Sequence, residues 1–389
     1  MIPRVDVLVI GSGPAGSALA GAMADAGASV LLAESSAHPR PKACAEYASP
    51  RIVEELARIG LAPEAWRAAA VPLSGMDLHA GGHAVRIAYA DRRGPRPAWG
   101  LDRRRFDARL TEHAATRGAV LAERTRATDL VVDRGRVRGA RLRSPTGSQT
   151  VLADWDIGAD GARSTVARRL GVERPVRMPR RLGLVAHYAG ADGLVDHGEM
   201  HAGRGWYVGL APTPDGELNV GMALAMRNNG SAADRFASAI AAMPAVAERL
   251  AGARRVSPIR GASPIGHRVS RAAGAGWLLV GDAAGFVDPF TGEGIYRALR
   301  ASRAATDALL AGGDVAKAYL RARRRAFLAK STLSWLVQGV LAAPGLLGHA
   351  VGRLETRPNA ARRLGSALGD CRPATDALSP AAVLEVLAP

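Results

Sequence analysis

The chain has 389 residues, 48% apolar but only 4% aromatic, enough to bury a large core as one domain or two interleaved ones. Its net charge of +17 invites a nucleic-acid reading, yet lysine occurs only at Lys42, Lys317 and Lys330, and the arginines lie scattered in groups such as Arg103-Arg104-Arg105 and Arg323-Arg324-Arg325. Without a basic stripe interleaved with aromatics, that reading is set aside in favour of arginine-rich codon usage, or attraction to anionic cofactors, acidic carrier proteins or lipid surfaces. Two cysteines, Cys44 and Cys371, make neither a disulfide framework nor a metal site, and they suit a reducing cytoplasm.

In chain order, Val5-Asp6-Val7-Leu8-Val9-Ile10 predicts a buried strand that runs into Gly11-Ser12-Gly13-Pro14-Ala15-Gly16 and a small-residue helix. A second strand, Val30-Leu31-Leu32-Ala33, ends on Glu34, 18 residues beyond Gly16. In this setting the glycines have separate jobs: Gly11 makes the tight turn, Gly13 admits a pyrophosphate, and Gly16 lets helix and strand pack closely. The helix N-terminus offers free N–H groups to the phosphates, and Glu34 can take a ribose hydroxyl. A loop rich in Pro, Arg and Cys spans 38–50, and a helix follows at about 50–60. The alternation over 73–90 around Gly81-Gly82 predicts a hairpin, and 103–117 has helical periodicity. Residues 120–153 read as three strands broken at Asp133-Arg134-Gly135 and Pro145-Thr146-Gly147, with a further short strand ending at Asp160. Strands are expected again over 182–226, a helix over 231–251, a strand at Trp277-Leu278-Leu279-Val280 and a long helix over 294–310. The tail to 389 is mainly helical, with breaks at Pro344 and Pro373. Such an order predicts a mixed α/β chain: a nucleotide domain assembled from separated segments, with an antiparallel sheet inserted between them.

Three more motifs bear on the cofactor. In Gly158-Ala159-Asp160-Gly161-Ala162-Arg163-Ser164 an Asp-Gly pair ends a strand and Ser164 stands where it can cap a helix. In Trp277-Leu278-Leu279-Val280-Gly281-Asp282 a buried strand delivers a carboxylate suited to polyol hydroxyls. Asp288-Pro289-Phe290-Thr291-Gly292-Glu293-Gly294-Ile295 leads with a proline and two glycines into the long helix, whose first N–H groups can meet an anionic or carbonyl ligand. No second G-x-G-x-x-G marks a stable nicotinamide domain.

Together these motifs, over about 5–50, 98–112, 156–171 and 274–311, resemble the flavoprotein superfamily of aromatic-ring hydroxylases and geranylgeranyl reductases. The resemblance implies a Rossmann-like FAD-binding domain of the para-hydroxybenzoate hydroxylase type, an inserted antiparallel β-sheet substrate domain and a helical C-terminal region. The corresponding boundaries are 1–70, 99–175 and 270–315 for FAD, 71–98 and 176–269 for substrate, and 316–389 for the tail. It further implies that Gly11, Gly13, Pro14, Ala15, Gly16, Glu34 and Ser35 hold the ADP half and that Arg103 contacts the flavin. By the same resemblance Asp160 and Gly161 serve FAD and transient NADH or NADPH, Gly281 and Asp282 bind the ribityl chain, and Pro289, Gly292, Glu293, Gly294 and Ile295 lie against the isoalloxazine. The segment Lys42-Ala43-Cys44 resembles the Lys-x-Cys that reductases place beside the flavin, but Ala45-Glu46 stands where Gly-Gly is usual. Cys44 is either a flavin-side wall or proton donor, or a small buried side chain.

The middle strands are expected to form a chamber for a lipophilic small molecule. In His201-Ala202-Gly203-Arg204-Gly205-Trp206-Tyr207, Tyr207 is the second catalytic candidate, and Trp206 and His187 could also position a phenol or quinone or simply pack. No stretch reaches the roughly 18 uninterrupted apolar residues of a spanning helix. The nearest, 333–351, is broken by Gln338, Pro344-Gly345 and His349; it packs, caps a lipophilic tunnel or makes peripheral membrane contact. No metal site is expected. The leading expectation is an NAD(P)H-using monooxygenase hydroxylating a lipophilic aromatic or polyketide-like molecule of secondary metabolism. The alternative is a geranylgeranyl reductase-like saturation of prenyl double bonds, and a non-catalytic flavin-binding sensor is a third reading.

Overall fold

A computed structural model describes residues 2–387 apart from 177, 179, 194, 195, 204 and 227–229; Arg204 of the expected chamber motif therefore lies outside the described residues. Strand β1 (Arg4–Ile10) runs into helix α1 (Pro14–Asp25), which returns to β2 (Val30–Ala33), paired parallel to β1 in a βαβ start. Gly21 of α1 stands where a Cβ would come within 3.1 Å of Ala114, so its absence lets α1 and helix α2 (Arg103–Thr116) approach closely. Helix α2 starts where Asp102 accepts hydrogen bonds from the Arg104 and Arg105 amides.

Residues 120–158 form four strands: β3 (Val120–Ala122), β4 (Arg126–Asp133), β5 (Arg136–Ser144) and β6 (Gly147–Gly158). Two turns were visible in the sequence; a third, with Arg124 at φ +51, splits the first expected strand. The short strand expected before Asp160 is instead the end of the long β6. That strand changes partners along its length: its first half pairs antiparallel with β5 (to Leu152), and its second half pairs parallel with β1 on one side and β7 (Trp277–Leu279) on the other. The order β3-β2-β1-β6-β5-β4 thus brings the C-terminal ends of β1, β6 and β7 together. In a parallel sheet that edge is where ligands bind.

A second sheet is built from β8 (Met76–Ala80), β9 (His83–Ile87), β10 (Arg181–Ala189), β11 (Gly198–Gly203), β12 (Trp206–Pro212) and β13 (Leu218–Ala225). Its order is β10-β13-β12-β11-β8-β9, antiparallel except where β11 meets β8. The helix expected over 231–251 is two helices, Ala232–Ala241 and Pro244–Arg249, because Pro244 starts a new turn. The rest is helical: α3 (Gly294–Ala311), α4 (Val315–Ala342), α5 (Pro344–Glu355), α6 (Pro358–Leu368), α7 (Ala374–Leu378) and α8 (Pro380–Leu387). Helix α4, at 28 residues roughly 40 Å long, is anchored to the first sheet by Tyr319, whose hydroxyl donates to Leu279 O at 2.6 Å. Among the described residues no single helix is long and apolar enough to cross a membrane.

The first sheet carries one anomaly, Asp156 on β6, fully buried between β1 and β7 and in no salt bridge among the described residues. Burial pushes its carboxyl up to about 8, and the Gly139 amide offsets only part of this. Below pH 4 both folded and unfolded chains bind the proton; between about 4 and 8 only the folded chain does, so this residue removes stability as pH rises. Over that span the loss reaches about 5 kcal/mol. We predict that Asp156→Leu raises the melting temperature at pH 8 but hardly at pH 4, as read by thermal unfolding at both. An equal gain at both pH values would show that the charge is not the cause.

Candidate active site

The sheet edge, the 38–50 loop, the second sheet and the tail helices enclose one continuous cavity of about 1330 Å³. Ordinary single-ligand pockets hold about 300–1000 Å³, so this one has room for a dinucleotide and a second molecule. On the fingerprint side its wall contains Gly11, Gly13, Pro14, Ala15, Glu34, Ser35, Lys42, Asp160, Gly161, Gly281 and Asp282. Farther in come Cys44, Glu46, Arg103, Tyr207, Pro289, Gly292, Gly294 and Ile295. Beyond them the lining is apolar and comes from the tail helices: Leu333, Val337 and Val340 of α4, Leu347 and Val351 of α5, Leu364 of α6 and Val386 of α8.

Two expected cofactor residues are not in the wall. Gly16 is a packing residue: a Cβ there would lie 1.8 Å from Gly11 O. Glu293 points away into a buried cluster, its carboxylate 3.0 Å from Lys330 Nζ and 3.2 Å from Arg297 Nη1, with Ser334 Oγ donating at 3.1 Å. Lys330 and Arg297 outweigh the effect of burial and hold that carboxyl below its ordinary range. Burial rules the side chain out as a ligand group, although its neighbours on both sides face the cavity.

The fingerprint fits a dinucleotide. Gly11 has φ +103, a conformation natural to glycine, and Gly13 caps α1 with no side-chain hydrogen bond, leaving the first-turn N–H groups of a buried helix start facing the cavity. A Cβ on Gly13 would meet nothing nearer than Arg40 Nη2 at 3.9 Å; the space in front of it belongs to the cavity. Glu34 accepts from the Ser12 amide (3.1 Å), Ser12 Oγ (2.9 Å), Ser35 Oγ (3.0 Å) and the Ser36 amide (3.0 Å), with Arg40 Nη2 at 3.2 Å. Burial alone would raise its pKa, but Arg40 and these donors pull it below the usual value. Ser164 caps the helix Thr165–Arg169 by accepting the Ala167 amide at 2.9 Å. Asp160 Oδ2 also accepts the Thr165 amide at 2.6 Å, while its buried Oδ1 has no partner among the described residues, an acceptor left for a ligand hydroxyl. Asp282 sits on the turn after β7 with Lys42 Nζ 4.0 Å from it.

The inner residues differ from expectation in their attachments. Arg103 makes a bidentate pair with Asp107 (both contacts 2.9 Å) and donates to Cys44 Sγ at 3.2 Å, so its guanidinium is already committed one turn along its own helix. Tyr207 donates to Asp288 Oδ1 at 2.6 Å; Asp288 also takes Arg181 Nη1 at 2.6 Å and the Phe290 amide at 3.1 Å. Burial and that carboxylate hold the Tyr207 phenol far above its ordinary pKa. Its hydroxyl therefore braces the 289–294 loop, while its ring faces the cavity. Trp206 and His187 are not wall residues, and His187 instead reaches Glu46. Among the described residues one cluster, His79, Glu199 and His201, has ligand-like spacing. Its two rings stack at 6°, which puts their lone pairs in separate planes, and Arg249 occupies the carboxylate; the group is poorly built for a metal.

Sequence reasoning missed Arg40, Asp107 and the Glu46 contacts. Only Asp107 carried a local signal, the i,i+4 spacing from Arg103.

Fold and site define a flavin-type dinucleotide oxidoreductase. The chain belongs to the family described as FAD binding domain, which matches residues 4–312. It is 33% identical over 328 residues to the menaquinone reductase of Mycolicibacterium smegmatis, covering 80% of this chain and 78% of that one. It is also 33% identical over 321 residues to the digeranylgeranylglycerophospholipid reductase of Methanosarcina acetivorans, covering 80% and 77%. Among solved structures, the flavin-dependent brominase Bmp2 superposes with a TM-score of 0.83 at 21% identity, over 98% of this chain and 98% of that one, which shows the shared fold. The protein is an FAD-dependent oxidoreductase. The superfamily resemblance holds, and the named relatives lie on its reductase side rather than with the hydroxylases.

Proposed function

We propose that this flavoenzyme saturates carbon–carbon double bonds in an isoprenoid-chain lipid. The observation that carries the reading is the continuity of one cavity from the dinucleotide fingerprint into an apolar bore walled by the tail helices. Both reductase relatives are named for long isoprenoid lipids, and this favours alkene reduction over the hydroxylation expected first. When bound and reduced, FAD supplies the hydride equivalent that such a saturation needs.

The residues divide the remaining work. Gly11, Gly13 and the α1 N-terminus would hold the pyrophosphate, Glu34 and Asp160 would take hydroxyls, and Asp282 the ribityl chain. Asp288, fixed by Tyr207 and Arg181, sets the loop against which the ring system would lie. Leu333, Val337, Val340 and Val351 orient the chain and keep water from the reacting carbons. NADH or NADPH is the proposed transient reductant, bound without a fingerprint of its own. Leu320, Leu328 and Trp335 stand exposed on α4, which supports peripheral membrane contact near 333–351.

The test is anaerobic. The purified protein is reduced chemically, then mixed with a geranylgeranyl lipid in detergent, a substrate whose only acceptors for the electron pair are its double bonds. Return of the oxidised flavin absorbance without oxygen is expected; return only when oxygen is admitted would favour the hydroxylase.

A further inference from the structure

Glu46 is an unusual residue in its place. It has φ +56, a conformation that disfavours side chains, and it lies in the cavity wall with only 4% of its surface exposed. A buried carboxylate held in a strained backbone needs partners, and it has several. Its Oε1 accepts from the Arg103 amide at 3.1 Å, and its Oε2 lies 2.7 Å from His187 Nε2 and 3.1 Å from Asn219 Nδ2. Asn219 is fixed in turn by donating to Cys44 O at 3.0 Å. His187 is on β10, outside the cavity wall, with 24% of its side chain open to solvent and Nδ1 3.2 Å from Ser257 Oγ. A chain of groups therefore leads from solvent at Ser257 and His187 to a carboxyl in the cavity wall.

We propose that Glu46 and His187 are the proton-delivery pair of this cavity. The proposal rests on the reductase reading. Saturation breaks one π bond and forms two C–H bonds: the electron pair and one hydrogen arrive as hydride from the reduced cofactor, itself recharged by a two-electron donor. The other hydrogen arrives as a proton from Glu46, which His187 replaces from solvent. Glu46, next to the reacting space, would be catalytic; His187, acting through it, is a positioning and relay residue.

The electrostatics agree with the geometry. The hydrogen bond to Glu46 raises the His187 pKa, partly opposed by burial, with Glu217 and Asp102 adding to the rise. The other charged groups near the pair are Arg103 and its partner Asp107; Cys44 and Asn219 lie beside them. The 2.7 Å contact between Glu46 Oε2 and His187 Nε2 is short enough for a proton to pass directly between them.

Two measurements on the flavin-loaded protein test this. The first follows His187 by NMR in 13C-histidine-labelled protein, assigned with His187→Asn. Glu46→Gln should shift its titration downward, and an unchanged titration would overturn the pair whatever the substrate is. The second is the single-turnover reoxidation of reduced protein by a prenyl lipid that the wild type saturates. Glu46→Gln and Glu46→Gly are expected to slow it at least 100-fold while flavin content is kept. Glu46→Gly, natural to a φ of +56, should melt no lower than wild type. His187→Asn should flatten the pH profile of the step. Full rate with an unchanged pH profile in both Glu46 variants would overturn the proposal. A wild type that saturates no prenyl lipid would sink the reductase reading alone, and the NMR measurement would still decide the pair.

Discussion

Gly16→Ala is expected to destabilise the protein by about 3 kcal/mol and to leave it colourless, whereas Gly13→Ala leaves it stable and colourless. The two glycines stand three residues apart in one fingerprint, yet the space around them differs. At Gly16 a Cβ would sit 1.8 Å from Gly11 O and 3.0 Å from Ala159 Cβ, both on the parallel strands' edge, so α1 would have to lift off the sheet. At Gly13 the nearest atom is the end of the Arg40 side chain at 3.9 Å, and φ is −72. A methyl group there costs the fold within about 0.5 kcal/mol. It would intrude where the pyrophosphate lies against the helix start and lower FAD affinity roughly 100-fold, about 2.7 kcal/mol. Thermal unfolding and flavin absorbance after purification separate the two effects. A yellow Gly13→Ala protein with wild-type affinity would contradict the placement of the pyrophosphate.

The second large effect lies far from the fingerprint in sequence. Lys330 of α4 is 5% exposed, 3.0 Å from Glu293 and 3.2 Å from Asp370, and donates to Ala367 O at 2.9 Å and Leu368 O at 2.6 Å. One ammonium thus joins the end of the cofactor loop to two tail helices. Lys330→Met would leave two buried carboxyls facing each other and two carbonyls unpaired. The expected cost is about 3–5 kcal/mol, the range for breaking a buried pair. Asp370, already pushed up to about 6 by burial, is the group that protonates most readily in its absence. Lys330→Met combined with Asp370→Asn should therefore recover part of the loss in denaturant unfolding. Equal stability of Lys330→Met and wild type would show that the cluster contributes nothing net.

These cases show which parts of the molecule a linear reading reaches. The βαβ start was legible because its signals are local: an apolar strand, glycines at fixed spacing and an acid at the next strand's end. The turn at Asp133-Arg134-Gly135 was legible for the same reason, while the break at Arg124 was hidden, since a non-glycine residue with positive φ leaves no compositional mark. The apolar 333–351 segment was visible, but not the choice among packing, tunnel and membrane. That choice depends on α4 and α5 folding back over the second sheet, where Leu347 and Val351 join Val85 and Ile87 in one core. Glu46 drew notice as a departure from Gly-Gly. Its partners His187 and Asn219 lie 141 and 173 residues away and are brought to it by the antiparallel register that sets His187 opposite Asn219. Glu293 misled because a motif assigns positions, not side-chain directions; the loop faces the cavity while this carboxylate turns to Lys330.

Fold likeness alone would not decide the reaction, since the brominase shares the architecture. The decision rests on what fills the apolar bore and what happens to its double bonds. The most direct measurement is the mass of the product after prereduced protein meets a geranylgeranyl lipid, which has no quinone ring to accept the electrons, in sealed, oxygen-free buffer. A gain of two hydrogens for each double bond saturated, independent of oxygen, is expected. A product that gains an oxygen atom, and forms only when oxygen is admitted, would contradict it.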